Sequence, residues 1–135
     1  MPSNPASWEE ARRWFAIAAQ DLATTRLCLN NPEPLLGPAA YHVQQAAEKL
    51  IKGLLVAAGV SFRKTHDLDE LAELAALHYA GLGGHLDACR PLTIWSTIYR
   101  YPGLDDDAGP TSSEIAEAVV RLSAFRQAVE SLTPP

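Results

Sequence analysis

Cysteine is scarce in this chain. Only Cys28 and Cys89 occur among its 135 residues, far apart and outside any CxxC or Cys/His spacing. This argues against a disulfide scaffold or zinc ribbon and for small buried or half-buried side chains in a reducing compartment. Long apolar runs are missing too: the longest near-continuous one, Leu54 to Val60, is far too short to cross a bilayer. Met1-Pro-Ser-Asn-Pro has no basic segment leading into an apolar run, so no signal peptide is expected and a cytoplasmic location is. Positive charge is in deficit, 11 Lys and Arg against 16 Asp and Glu, for a net charge of -5. That balance argues against a protein that coats nucleic acid through phosphate contacts, while leaving room for a local basic patch. No Gly-rich phosphate loop, HExxH or G-x-S-x-G motif appears, and Gly81-Leu-Gly-Gly84 reads as helix breaking. The acidic loop Leu104 to Pro110 carries three consecutive aspartates but lacks the alternating ligands and distal Glu of a calcium loop. No metal and no cofactor are expected.

What remains is helical periodicity, with no convincing strand. Ser7 and Glu10 form a capping-box pattern, followed by Trp8, Ala11, Phe15, Ala18, Leu22 and Leu29 at helical spacing, with Trp14 and Ile17 widening the stripe. This predicts a first helix over about 7–29. Pro38 suits the first position of a second helix over about 38–58, and Gly59 the position just past its end. Asp67 with Glu70 caps a third helix through Leu68, Leu71, Ala72, Ala75 and Tyr79, expected to stop at Gly81 to Gly84. Leu86, Cys89, Leu92, Trp95, Ile98 and Tyr99 keep the period, with Pro91 kinking the helix or starting a new one, and Arg100-Tyr101-Pro102-Gly103 ends it. Thr111 with Glu114 caps the last helix, whose stripe is Ile115, Val119, Leu122, Phe125, Val129 and Leu132. Short links between such helices predict an all-α fold, an antiparallel up-and-down bundle of four to five helices. One domain spans 1–135, with its core at about 7–132. Trp8, Trp14, Phe15 and Phe125 supply more apolar surface than a small bundle readily hides, which points to a homodimer.

The second helix is the most informative stretch. Ala39, Val43, Ala46, Ala47, Leu50, Leu54 and Ala57 share one face, with Tyr41, Gln44, Gln45, Glu48, Lys49 and Lys52 opposite. Gln44, Glu48 and Lys52 follow one another at i,i+4, and His42, Gln45 and Lys49 form a second row. Such a face is either solvated surface with helix-stabilising pairs or a surface for a ligand or partner. Lys49 and Lys52 project from it, and Arg63 and Lys64 lie in the connector leaving the same helix. With His66 and Arg100 nearby they make a basic cluster suited to a nucleotide phosphate or an acidic partner. His66 fits either a general base or ligand-contacting imidazole, or a turn-fixing residue bonded to the backbone. Asp21, at the edge of the first stripe, is placed to pair with a base of the second helix. Arg100 at a helix end complements the dipole or clamps a phosphate.

Trp14 with Asp21-Leu22, Gln44-Gln45-Ala-Ala-Glu48-Lys49-x-x-Lys52, Thr65-His66-Asp67-Leu68 and Arg100-Tyr101-Pro102 together resemble the pattern of HEPN domains. The resemblance covers about residues 8–130. It implies an all-α up-and-down bundle, commonly dimeric, named for nucleotide binding and often encoded beside a minimal nucleotidyltransferase in toxin–antitoxin-like pairs. Together with the basic cluster, Gln45, Lys49, Lys52, Arg63, Lys64, His66, Arg100 and Tyr101 are the expected ligand-binding set, with a nucleotide or RNA as the expected ligand. Some branches of the family are metal-independent endoribonucleases carrying an Arg-x4-6-His motif. Here none of His42, His66, His78 or His85 has an arginine at that distance before it. The expected role is therefore a nucleotide-binding or partner-binding module, with a ribonuclease toxin and a purely structural dimer as the alternatives.

Overall fold

The computed structural model describes residues 5–100 and 109–135, apart from the side chains of 98–100. These residues form an all-α bundle. Its helices are α1 (Pro5–Asn30), α2 (Leu36–Ala57), α3 (Leu68–Ala76), α4 (Gly83–Cys89), α5 (Trp95–Arg100) and α6 (Ser112–Leu132). Short 3-10 turns at Ala80–Leu82 and Arg90–Ile94 bracket α4. The second, with Pro91 in its first turn, joins α4 and α5 into one interrupted arm, as the ring and missing N–H of proline require.

Most of the expected stripes become the core, although Leu29 at the end of the first is half-buried and Leu132 at the end of the last is exposed. Trp8, Ala11, Phe15, Ala18 and Leu22 of α1, the whole apolar face of α2, and Ile115, Val119, Leu122, Phe125 and Val129 of α6 are all buried. Cross-contacts fix the directions of the long helices. Thr25 bonds the Ala39 carbonyl, Asp21 meets His42 and Phe15 lies against Gly53, so α1 and α2 run antiparallel. Arg12 reaches the Pro134 carbonyl and Arg26 donates to Ser123, so α6 also runs against α1. At Gly53 α1 and α2 approach closely, because an added Cβ there would run into the Phe15 ring edge and sit 3.0 Å from Trp14 Cβ. Gly59 just past α2 has φ +70°, the left-handed conformation that favours glycine.

Several expectations need correcting. The helix begins at Pro5, so Ser7 lies inside its first turn and does not cap it. Ile17 is exposed and does not widen the buried stripe. The third helix ends at Ala76, well before the glycines, and Gly83 and Gly84 open α4 instead of breaking a helix. Trp8, Phe15 and Phe125 are buried within the chain and Trp14 is half-buried, so most of the aromatic surface offered as the motive for a dimer is not there. Exposed large apolar side chains lie elsewhere, at Leu27 on α1, Val120 on α6, Leu77 and Ile94. Cys28 is half-buried and Cys89 buried, both free thiols. No described helix is long and apolar enough to cross a membrane.

Candidate functional site

Most of the polar side of α2 is turned away from water. Gln44, Gln45, Glu48 and Lys52 are buried alongside the apolar face, so the helix runs through the interior with polar groups that must find partners there. They find one another. Glu48 is the hub: its Oε1 accepts from Gln44 Nε2 at 3.1 Å and from His66 Nδ1 at 2.9 Å, and its Oε2 from Lys52 Nζ at 3.0 Å. Gln44 Oε1 in turn accepts from Gln45 Nε2 at 2.7 Å, and Gln45 Oε1 from Lys49 Nζ at 2.9 Å. Lys49 also stands 3.5 Å from Asp21 Oδ2, an ion-pair distance too long for a good hydrogen bond, and that buried oxygen has no other partner among the described residues. Asp21 Oδ1 meets His42 Nδ1 at 2.8 Å. A continuous polar chain therefore runs from His42 to His66.

The connector between α2 and α3 holds His66 in place over Glu48. Thr65 Oγ1 accepts from the Asp67 amide at 3.1 Å, and the Asp67 carboxylate caps α3 by accepting from the Asp69 and Glu70 amides. The Leu68 amide donates to Thr93 Oγ1 at 3.0 Å, tying the start of α3 to the turn before α5. The Thr65-His66-Asp67-Leu68 sequence is thus a hydrogen-bonded connector leading into α3. His66 uses its ring, not the backbone, to fix its position, and the ring bonds a carboxylate.

Burial pushes the Glu48 carboxyl upward, but hydrogen bonds from His66, Lys52 and Gln44 with the charge of Lys52 outweigh it and hold Glu48 below its ordinary range. An ionised carboxylate only accepts hydrogen bonds, so the facing Nδ1 of His66 carries a proton and, in the neutral ring, Nε2 is left as an acceptor. The Glu48 side chain is 3% exposed and that of His66 56%. A buried carboxylate thus orients a half-exposed imidazole, an arrangement that can take a proton or hydrogen bond from a ligand, or, with the ring protonated, donate to a phosphate oxygen. The Lys52 ammonium also lies 5.9 Å from the centre of the Phe62 ring.

Gln45, Lys49, Lys52 and His66 are therefore brought into one network. Arg63 is not part of it. Its guanidinium is exposed and pairs with Glu70 at 2.7 Å. Lys64 is exposed and has no ion pair among the described residues. The side chain of Arg100 and all of Tyr101 fall outside the described residues. Sequence reasoning placed Asp21 against the second helix but missed His42 as its partner and Glu48 as the hub. The signal for Glu48 was present, since it stands one turn from both Gln44 and Lys52. Among the described residues no group of His, Cys, Asp or Glu is arranged to hold a metal ion. Burial drives the Cys89 thiol up to about 12, which removes it as a nucleophile.

Neither a curated protein nor a solved structure matches the chain. A family model described as the HEPN domain matches residues 11–132, which takes in the polar row of α2, the connector carrying His66 and all of the helices except the first residues of α1. This chain belongs to the HEPN domain family.

Proposed function

We propose that the chain is a cytoplasmic nucleotide-binding or partner-binding module that works beside a minimal nucleotidyltransferase, in a toxin–antitoxin-like pair, and is not itself the catalyst. The observation that carries this reading is the Glu48–His66 pair. Lys52 is neutralised by Glu48 and Lys49 faces Asp21, so neither lysine offers a free charge to a ligand. His66 and the neighbouring Lys64 do reach solvent, and the imidazole is held by the buried network beneath it. A phosphate or an acidic side chain docking there would meet an oriented donor beside an exposed ammonium. Family membership supports the same reading.

Calorimetry with ATP, GTP and short RNA oligonucleotides, on the native protein and on a Lys64→Ala, His66→Ala variant, tests it. The expected result is saturable binding of at least one of these ligands, about tenfold or more weaker in the variant, with the RNA recovered intact. Binding of none, or binding indifferent to both substitutions, overturns the ligand site. RNA cleavage that vanishes in the variant would instead make His66 a catalytic base and favour the endoribonuclease reading.

A further inference from the structure

The Asp21–His42 and Glu48–His66 pairs are built alike, each a carboxylate on the Nδ1 side of an imidazole, and they stand at the two ends of one chain of polar contacts. Every link within that chain has a direction. Lys49 Nζ donates to Gln45 Oε1, Gln45 Nε2 to Gln44 Oε1, and Gln44 Nε2 to Glu48 Oε1. An ammonium only donates and an ionised carboxylate only accepts, so the two charged ends fix both amides: turning either one over would set oxygen against oxygen and nitrogen against nitrogen. The link at Lys49 is contested. Asp21 Oδ2 is buried with no hydrogen-bond partner among the described residues, and it stands 3.5 Å from the Lys49 ammonium that serves Gln45 at 2.9 Å. An unpaired buried carboxylate oxygen is costly, so Asp21 pulls on the group that anchors the amides. His42 tempers that pull by engaging Oδ1 at 2.8 Å.

We propose that Lys49, Gln45 and Gln44 are positioning residues for His66, a directional relay through which the Asp21–His42 pair governs which nitrogen of the His66 ring is protonated. The inference rests on the reading of His66 as the ligand-contacting imidazole and adds what controls it. With the relay intact, Gln44 holds Glu48 Oε1 and Lys52 holds Oε2, so the carboxylate plane is fixed and Oε1 stays on His66 Nδ1. The proton then sits on Nδ1 and Nε2 is left for the ligand. When Asp21 draws Lys49 away, Gln45 Oε1 loses its donor and both amides are free to turn. Glu48 is then held by Lys52 at one oxygen, and the last torsion of a glutamate is soft. The His66 side chain is 56% exposed, so water competes for its ring as soon as the acceptor wavers. The ring relaxes toward the Nε2–H form that a neutral imidazole favours in water. No residue of the relay except Glu48 touches His66, so the control is exerted through the buried chain.

Nitrogen-15 NMR of the His66 ring in the full chain, at a pH where the ring is neutral, reads the tautomer with no ligand present. The native ring should report Nδ1–H, its signals assigned by their loss in His66→Gln. Gln45→Met keeps the length of the side chain without its amide, and should move the ring toward Nε2–H. Lys49→Met should do the same from the far end, and serves alone if the Gln45 variant fails to fold. Lys49→Arg keeps a donor-only cation and should keep the native signal. His42→Phe leaves Asp21 Oδ1 without its partner, so Lys49 is drawn off and the signal should again move, whereas adding Asp21→Asn removes the pull and should return it. A merely structural row would lower the melting temperature of these variants and leave the tautomer of the folded chain native. A native tautomer in folded Lys49→Met and His42→Phe therefore overturns the relay. A native chain already in the Nε2–H form overturns it together with the Glu48–His66 contact beneath it. Failure of ATP, GTP and RNA to bind a chain that meets every tautomer expectation overturns the ligand reading and leaves the relay standing.

Discussion

Glu48 and His66, drawn from the middle of α2 and from the connector beyond it, meet at 2.9 Å with the carboxylate almost fully buried and the imidazole half in water. The contact joins the interior of the bundle to its surface. A buried acid is costly unless each oxygen is occupied, and Glu48 meets that requirement with Gln44, Lys52 and His66 together. An inert helix face would be built more cheaply from leucine. The polar hub is not explained by stability alone, which is the physical reason for proposing a ligand site beside it.

Removing the acid alone should be far worse than removing the ion pair. Glu48→Ala strands the Lys52 ammonium, which is 9% exposed, and should cost about 3–5 kcal/mol. Glu48→Met with Lys52→Met replaces both charges by apolar chains of similar length. It still orphans the buried Gln44 amide, at about 1–3 kcal/mol, yet should be less destabilised than the single variant. Urea unfolding of the native, single and double variants checks this, and a double variant at least as unstable as Glu48→Ala would refute the pairing.

The helix stripes were legible because a period of 3.6 is a local property. Trp8 through Leu22 and Ile115 through Val129 needed no knowledge of the partner helix. Capping was legible where nothing competed with it: Thr111 with Glu114 forms a complete capping box, and Asp67 caps α3. At Ser7 the helix starts earlier, at Pro5, a residue suited to a first turn. The buried polar row was not legible. Gln44, Glu48 and Lys52 read the same whether water or protein lies beyond them, and the histidine that bonds Glu48 comes from beyond the helix, after the chain has turned. Gly83 and Gly84 misled for a similar reason, since tertiary packing keeps Leu86 and Cys89 helical despite weak local propensity.

A homodimer remains the proposed assembly, now on other grounds. Leu27 is 73% and Val120 68% exposed, and the Arg26–Ser123 hydrogen bond between their neighbours places both along the α1–α6 side. Light scattering coupled to size exclusion should give about twice the 14.6 kDa chain mass. A Leu27→Glu, Val120→Glu variant should run as a monomer. A native protein already monomeric at micromolar concentration would exclude the dimer.

Gly53→Ala sets two effects against each other. Alanine gains about 1 kcal/mol of helix propensity over glycine. Its Cβ would sit 2.8 Å from Phe15 Cδ1 and 3.0 Å from Trp14 Cβ, and Phe15 is 7% exposed, with little space into which to swing. Overpacking of this kind costs about 1–3 kcal/mol, so the clash should win and α1 should be pushed off α2. Thermal unfolding should show a lower midpoint for the variant, whereas an unchanged or higher one would mean that the two helices slide apart at no cost.

The last expectation concerns acid. The Glu48 carboxyl is held below its ordinary value of 4.5 in the folded chain, so the unfolded chain binds its proton at higher pH than the folded one does. Below 4.5 the unfolded state therefore carries more protons, and stability falls as pH is lowered. The contribution of Glu48 is complete above that value, declines as pH drops through it, and is gone once pH passes below the folded value. Glu114 is lowered as well, by its hydrogen bonds to Thr111, and acts with the same sign, so the native profile alone cannot be assigned to one residue. The decisive quantity is the difference between the native protein and Glu48→Gln, which keeps the shape but has no proton to bind. Urea midpoints measured from pH 7 down to pH 3 should show a steeper acid loss for the native chain, with the two curves converging toward the acid end and with unchanged denaturant slopes. Parallel curves would mean that Glu48 titrates alike in both states, and the hydrogen bonds from His66, Lys52 and Gln44 would then not favour its charged form.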